Sequence, residues 1–335
     1  MARSIPWRQF VLSVGVAGVT LWRVSLADLR AAFRHLDLGS LFLAVFCVLA
    51  LMVLRAHKWH CLMAAVGKFR LRQSLRTLLG GCVLGLVTPG RIEELGRCIF
   101  VRKQERTRVA LLTLLDRALD FWALLTLVGA SLFFLAPHPA AIFGVAMWLA
   151  LLPVMLEFPS LLAHLSQAVH RLHHLHGDFV EVASGLPPSQ MSRYAILGLG
   201  AMWLELSSFY FLLRAFSPAG FATAVSTYPY IVLAGDLPVS ISGVGVREGV
   251  AAILLSPYAV PRGAAVDAVL LWFVFGILFP AVLGVAWLVV ERLSHFVQCS
   301  GDKATNTDCD WKLLGPAQPH APVPPESVVP PCEAA

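Results

Sequence analysis

Val109–Leu135 reads VALLTLLDRALDFWALLTLVGASLFFL, an apolar run interrupted only by Asp116, Arg117 and Asp120. A transmembrane helix needs about 20 predominantly apolar residues to cross a hydrocarbon core about 30 Å thick, and this stretch is long enough. An ionised Asp or Arg at mid-helix costs about 2.5–3.5 kcal/mol on insertion, so these three residues mark the span for a role beyond anchoring. The i,i+4 spacing places Asp116 and Asp120 on one helix face, with Arg117 one turn from Asp120. One intrahelical pair then leaves a carboxylate over. The competing reading is a structural ion pair that holds helices together.

The rest of the chain agrees with membrane burial. Of 335 residues, 58% are hydrophobic and 14% charged, against about 25% charged in an ordinary soluble domain. That excludes a soluble enzyme and sets the fold class as all-α, a polytopic integral membrane protein. The net charge of +6 sits in basic clusters beside apolar segments, which suits anionic headgroups and not a nucleic-acid surface. The seven cysteines are scattered and form neither a disulfide framework nor a zinc spacing. His170, His173 and His174 share a helical face but read as a solvated amphipathic surface, so no metal is expected. Ser, Cys and His show no nucleophile arrangement, and no cofactor is implied.

Working outward, Phe10–Trp22 extends to Ala27 as an uncleaved first span, and Leu38–Leu54 is a second that stops at Arg55. The acid-free basic stretch Arg55–Arg76 marks the cytoplasmic side and places the N-terminus there. Leu78–Thr88 is too short to span and ends at Pro89-Gly90, as a re-entrant hairpin does. Val109–Leu135 and Ala141–Leu156 complete the first half. A polar linker, 158–193, precedes Tyr194–Phe216, a second interrupted segment Phe221–Leu255, and a last span Ala264–Val290. The plan is about six full spans plus two re-entrant elements within a domain 1–298, its halves 1–157 and 194–298, followed by a disordered proline-rich tail, 299–335. Interrupted segments entered from opposite faces suggest an inverted repeat. Its best sequence match is Pro89-Gly90-Arg91 with Glu93 against Ser242-Gly243 with Arg247-Glu248.

Glu205 lies deep in its span with no basic neighbour within one turn. Its cross-helix candidates are Arg247, Arg91 and Arg97. The glycine-rich breaks form the other constellation: Pro89-Gly90-Arg91 with Glu94 and Arg97, and Ser240 to Glu248 with Gly243, Gly245 and Arg247. Half-helix N-termini beside arginines suit a phosphate-bearing headgroup, whereas glycines serving close helix packing are the plainer account. The candidate binding set is Arg91, Glu94, Arg97, Asp116, Arg117, Asp120, Glu205, Ser240, Gly243, Gly245, Arg247 and Glu248. Within it, Arg91, Arg97 and Arg247 contact phosphate, and Asp116, Asp120 and Glu205 balance the charge.

The order Arg55-Ala56, Trp59, Gly81 to Pro89-Gly90-Arg91, Glu94, Arg97, Asp116-Arg117, Asp120, then Leu237-Pro238 to Gly249, resembles the flippase-like transmembrane domain of the lysylphosphatidylglycerol synthase family. The resemblance implies a bacterial inner-membrane protein that moves or handles lipids. Members commonly carry Pro-Gly-Arg-x-Gly-Glu, and Glu93 stands here where the second glycine would. The residues after Val290 are too few and too proline-rich for the family's soluble aminoacyltransferase domain. The expected function is therefore a lipid flippase, not an enzyme, with membrane lipids as partners and a lipid-synthesis enzyme as a candidate associate. An accessory subunit of such an enzyme, or a membrane-embedded transferase, is the alternative. The lipid, the direction of transport and the oligomeric state stay open.

Overall fold

A computed structural model describes residues 36–87, 92–135, 138–168, 176–237 and 243–302. The expected first span, the Pro89-Gly90-Arg91 turn, Ser240, the histidine run at 170–174 and the tail beyond 302 lie outside that set. The chain to Val289 forms one compact unit, and Val290 onward a second. All regular structure among the described residues is helical: α1 Leu38–Val66, α2 Leu71–Val87, a 3-10 segment Ile92–Phe100, α3 Arg106–Leu135, α4 His138–Leu156, α5 Phe158–Ala168, α6 His176–Gly185, α7 Pro188–Phe216, α8 Phe221–Asp236, α9 Val246–Leu254, α10 Arg262–Phe273 and α11 Phe279–Asp302. Three helical stretches, Leu38–Val66, Pro188–Phe216 and Arg262–Glu291, are long and apolar enough to cross a membrane.

The surface carries the signature of a lipid solvent. Along α1, Leu38, Phe42, Phe46, Leu49 and Val53 are exposed, at three- and four-residue spacings that make one helical stripe. The opposite face buries Ala44, Cys47, Val48 and Leu51. Meanwhile Lys58, Arg97, Asp116, Glu205, Arg247, Glu248 and Asp267 are buried. Apolar side chains outside and charges inside reverse the order that water imposes.

Each interrupted segment is a helical hairpin. α2 packs on the 3-10 segment, and α8 packs on α9. The two hairpins belong to longer segments in matching register. α1 and α7 are both 29 residues long, and each ends on an extended residue, Gly67 or Ser217, whose N–H returns to a carbonyl four residues back. A four-residue connector follows in both, closed by Phe69 N–H to Gly67 O and by Ala219 N–H to Ser217 O. α2 and α8 then begin at Leu71 and Phe221, so residue i of the first segment corresponds to i+150 of the second. Arg97 and Arg247 are equivalent in that register, which the comparison of Pro89-Gly90-Arg91 with Ser242-Gly243 misses by a few residues.

α1 and α7 run antiparallel. Asp37 N–H bonds Ala215 O at 3.1 Å at one end, and the Tyr194 hydroxyl bonds Cys61 O at 3.2 Å at the other. Their shared face, α2, α3 and the hairpin arms enclose two apolar cores. One centres on Trp59, Leu112, Leu115 and Met191, and the other on Phe209, Leu213, Tyr228, Val269 and Trp272.

Boundaries differ from expectation where charges find partners. α1 does not stop at Arg55: it continues for eleven residues to Val66, because Arg55 and Lys58 meet carboxylates inside the protein. In the last long helix Pro280 lacks the N–H that an α-helix needs. The turn before it is accordingly a π-helix, Val274–Leu278, with the Phe279 N–H reaching back five residues to Val274 O.

Asp37 caps α1 and accepts hydrogen bonds from the Ser40 hydroxyl at 2.6 Å and the Gly39 N–H at 3.0 Å. Those donors hold its carboxyl below the usual carboxylate range. A depressed folded value means that the cap contributes above the ordinary aspartate range and is lost as pH falls through the lowered one. Hydrogen exchange at the Gly39–Leu41 amides should accelerate on acidification into that range, beyond the intrinsic pH dependence. In Asp37→Ala it should be fast at every pH.

Candidate functional site

The deepest charges converge where α1, the 3-10 segment and α3 meet. Lys58 Nζ lies 2.7 Å from Asp116 Oδ1 and 2.6 Å from Asp120 Oδ1. Arg97 Nη1 donates to Asp116 Oδ2 at 2.8 Å. Arg117 stands 3.6 Å from Asp120 and 3.8 Å from Asp116. The expected Arg117–Asp120 pair is present, but no carboxylate is left over: Asp116 takes Lys58 and Arg97. The hydropathy reading put Lys58 in a cytoplasmic cluster, yet its side chain is 2% exposed. At low dielectric such a network holds only when every member is compensated.

Arg97 reaches this position because its segment lies close against α2. A Cβ on Gly81 would come within 2.6 Å of the Arg97 Cγ. The guanidinium sits 4.5 Å over the Trp59 ring, a cation–π contact. Trp59 is fixed in turn by its indole N–H, which donates to the Thr77 hydroxyl at 2.8 Å.

Among the described residues Glu205 pairs with neither Arg97 nor Arg247, and Arg91 lies outside them. Its partner is Arg55, at 2.6 Å. In the 150-residue register Arg55 and Glu205 are equivalent positions, so this bond ties the antiparallel helices α1 and α7 where their counterparts meet. Glu205→Gln keeps a hydrogen-bonding oxygen and removes the charge. It should lower stability by about 1–2 kcal/mol, read as an earlier thermal transition in detergent.

The second hairpin repeats the first with different neighbours. Arg247 is 1% exposed, with its guanidinium 5.1 Å over the Trp272 ring. A Cβ on Gly235 would run into its side chain. Asp236 Oδ1 is 3.6 Å from Arg247 Nη2 and its side chain is 45% exposed. Gly243 and Gly245 adopt φ of +75° and +86°, the left-handed region that suits glycine. Glu248 Oε2 accepts the Gly245 N–H at 2.6 Å and caps α9. Asp267, one residue from the register counterpart of Asp116, is buried on α10.

The expected residues therefore fall into two groups. Arg97, Asp116, Arg117 and Asp120 come together at the first hairpin, and Gly243, Gly245, Arg247 and Glu248 at the second, with Glu205 joined to Arg55. Arg91 and Ser240 lie outside the described residues, and Glu94 is placed on the 3-10 segment by its backbone alone. Lys58, Arg55, Trp272 and Tyr228 escaped the sequence reading. A signal for the first two existed, since buried carboxylates without local cations call for cations elsewhere. Among the described residues no group of His, Cys, Asp and Glu could hold a metal ion.

Among the described residues Arg55, Lys58, Arg97 and Arg117 gather around Asp116, Asp120 and Glu205. Residues 7–284 match the family model described as lysylphosphatidylglycerol synthase TM region. No curated protein shows a matching sequence.

Proposed function

The chain belongs to the lysylphosphatidylglycerol synthase TM region family, and from that membership we propose that it is a flippase-type transporter. It lets a phosphate-bearing lipid headgroup cross between the leaflets of the bacterial inner membrane. The observation that carries this reading is the pair of hairpins, each delivering a buried arginine onto a tryptophan, at positions 150 residues apart in segments whose leading helices run antiparallel. In a bilayer that arrangement is an inverted repeat with two re-entrant elements among about six spans, the N-terminus in the cytoplasm. Each hairpin then offers its arginine to one leaflet. Arg97 and Arg247 contact phosphate in turn, and Asp116, Asp120 and Glu205 hold the cations when no headgroup is bound.

A membrane-embedded transferase fits less well. Asp116 and Asp120, its candidate bases, both pair with the Lys58 ammonium at 2.7 Å or less, which opposes proton abstraction. The test is a liposome assay with a fluorescent phospholipid. Wild type should scramble the label between leaflets, and Arg247→Gln and Asp120→Asn should each slow it at least tenfold. Equal rates in protein-free and protein-loaded vesicles would overturn the reading.

A further inference from the structure

Each hairpin sets its buried arginine beside a carboxylate. Arg97 is bonded at 2.8 Å to Asp116, whose side chain is 4% exposed and which also takes Lys58. Arg247 has Asp236 at 3.6 Å, and that carboxylate is about half exposed. The carboxylate beside Arg97 is interior, and the one beside Arg247 stands at the rim.

A separate observation lies beside Arg247. Tyr228, on α8, is fully buried, with its ring 5.2 Å from Phe209 and 5.8 Å edge-on to Trp272. Trp272 is the same ring that Arg247 covers. The Tyr228 hydroxyl is buried and has no hydrogen-bond partner. A buried hydroxyl left unbonded costs about 1–3 kcal/mol, and an apolar ring such as Phe would pack there without that penalty. Gly243, in left-handed backbone, lies against Gly235 O and the Arg247 side chain.

We propose that Tyr228 and Arg247 form a two-point site for a phosphate group in the second hairpin, with the phenol donating to one oxygen and the guanidinium covering another. Trp272 is the platform that fixes both, and Asp236 is the carboxylate that the phosphate displaces from Arg247. Phosphate is common to a phospholipid headgroup and to free inorganic phosphate. This inference rests on the proposed lipid transport for its physiological ligand, but the site itself is tested by binding alone.

The experiment uses the full chain in detergent, titrated with dioctanoyl phosphatidylglycerol in one arm and inorganic phosphate in the other. Trp fluorescence and calorimetry are the readouts. Dioctanoyl phosphatidylglycerol should bind wild type, roughly tenfold more weakly to Tyr228→Phe, which keeps the ring and removes one charge-assisted hydrogen bond, and not measurably to Arg247→Gln. Asp236→Asn should bind more tightly, since the competing charge is gone. Competition by inorganic phosphate identifies a site for the bare group, and lipid binding without competition identifies one that also needs the glycerol or chains. Either result supports the assignment if Tyr228→Phe weakens it. Unchanged affinity in a folded Tyr228→Phe, or no binding in either arm, overturns it. Scrambling that persists in Tyr228→Phe vesicles alongside unchanged binding would remove this site and leave the transport reading standing. Binding without scrambling would do the reverse.

Discussion

Asp116→Ala should destabilise the protein by about 3–5 kcal/mol, the range for removing one partner of a buried charge pair. Lys58 and Arg97, each 2% exposed at the side chain, share that carboxylate at 2.7 and 2.8 Å. Without it, Asp120 stands against Lys58, Arg97 and Arg117 together. Lys58→Met should do less harm, about half as much, because Asp116 keeps Arg97 and Asp120 keeps Arg117. The double variant Lys58→Met with Asp116→Leu should recover only part of the loss in Asp116→Ala, since it removes one pair together but still takes Asp116 from the buried Arg97. Thermal unfolding in detergent, followed by size-exclusion fluorescence, orders the three variants. An Asp116→Ala transition within about 1 kcal/mol of wild type would mean that water reaches the cluster and that its burial is not what holds it.

Gly243→Ala should be the most damaging single methyl addition at the second break, at about 2–5 kcal/mol. Its φ of +75° costs an L-residue about 1–2 kcal/mol, and overpacking adds about 1–3 kcal/mol. The new Cβ would stand 2.7 Å from Gly235 O and 2.9 Å from Arg247 Nε, and the first of these is backbone that cannot rotate away. The N–H of Arg247 also donates to Gly243 O at 3.2 Å, so any shift at Gly243 moves the arginine. Lipid scrambling should fall with stability in this variant. Gly249→Ala is the matched control: nothing lies within 4 Å of its added Cβ, and its thermal transition and transport should equal wild type.

The order of helices was legible wherever apolar runs end at proline, glycine or polar residues. Phe221–Leu255 resolves into α8, a glycine-rich break and α9, much as its glycines and prolines imply. The carboxylates were legible too, because an acid inside an apolar run stands out against its neighbours. Their cations were not. Arg55 and Lys58 follow an apolar run directly, where a basic residue ordinarily marks the membrane surface, and only the positions of Glu205, Asp116 and Asp120 on other helices reveal them as interior. Tyr228 gave no signal for a related reason: within FATAVSTYPYIVLAGD an aromatic residue reads as core. Its hydroxyl becomes informative only once Trp272, far along the chain, is seen to pack against both the Tyr228 ring and Arg247. The 150-residue register was equally hidden, since it is carried by helix lengths and connector geometry more than by identical residues.

The bond between Arg55 and Glu205 has a consequence for ancestry. The two residues hold equivalent positions on helices that cross at their equivalents. Two separate copies of one half-length chain, paired symmetrically, would set each such position against itself. An arginine there would face an arginine, and a glutamate a glutamate, both repulsive. Opposite charges at this crossing require two halves that differ in sequence. A split version with identical halves would lose the bond, so the fused chain carries a pairing that no self-assembling half could have possessed.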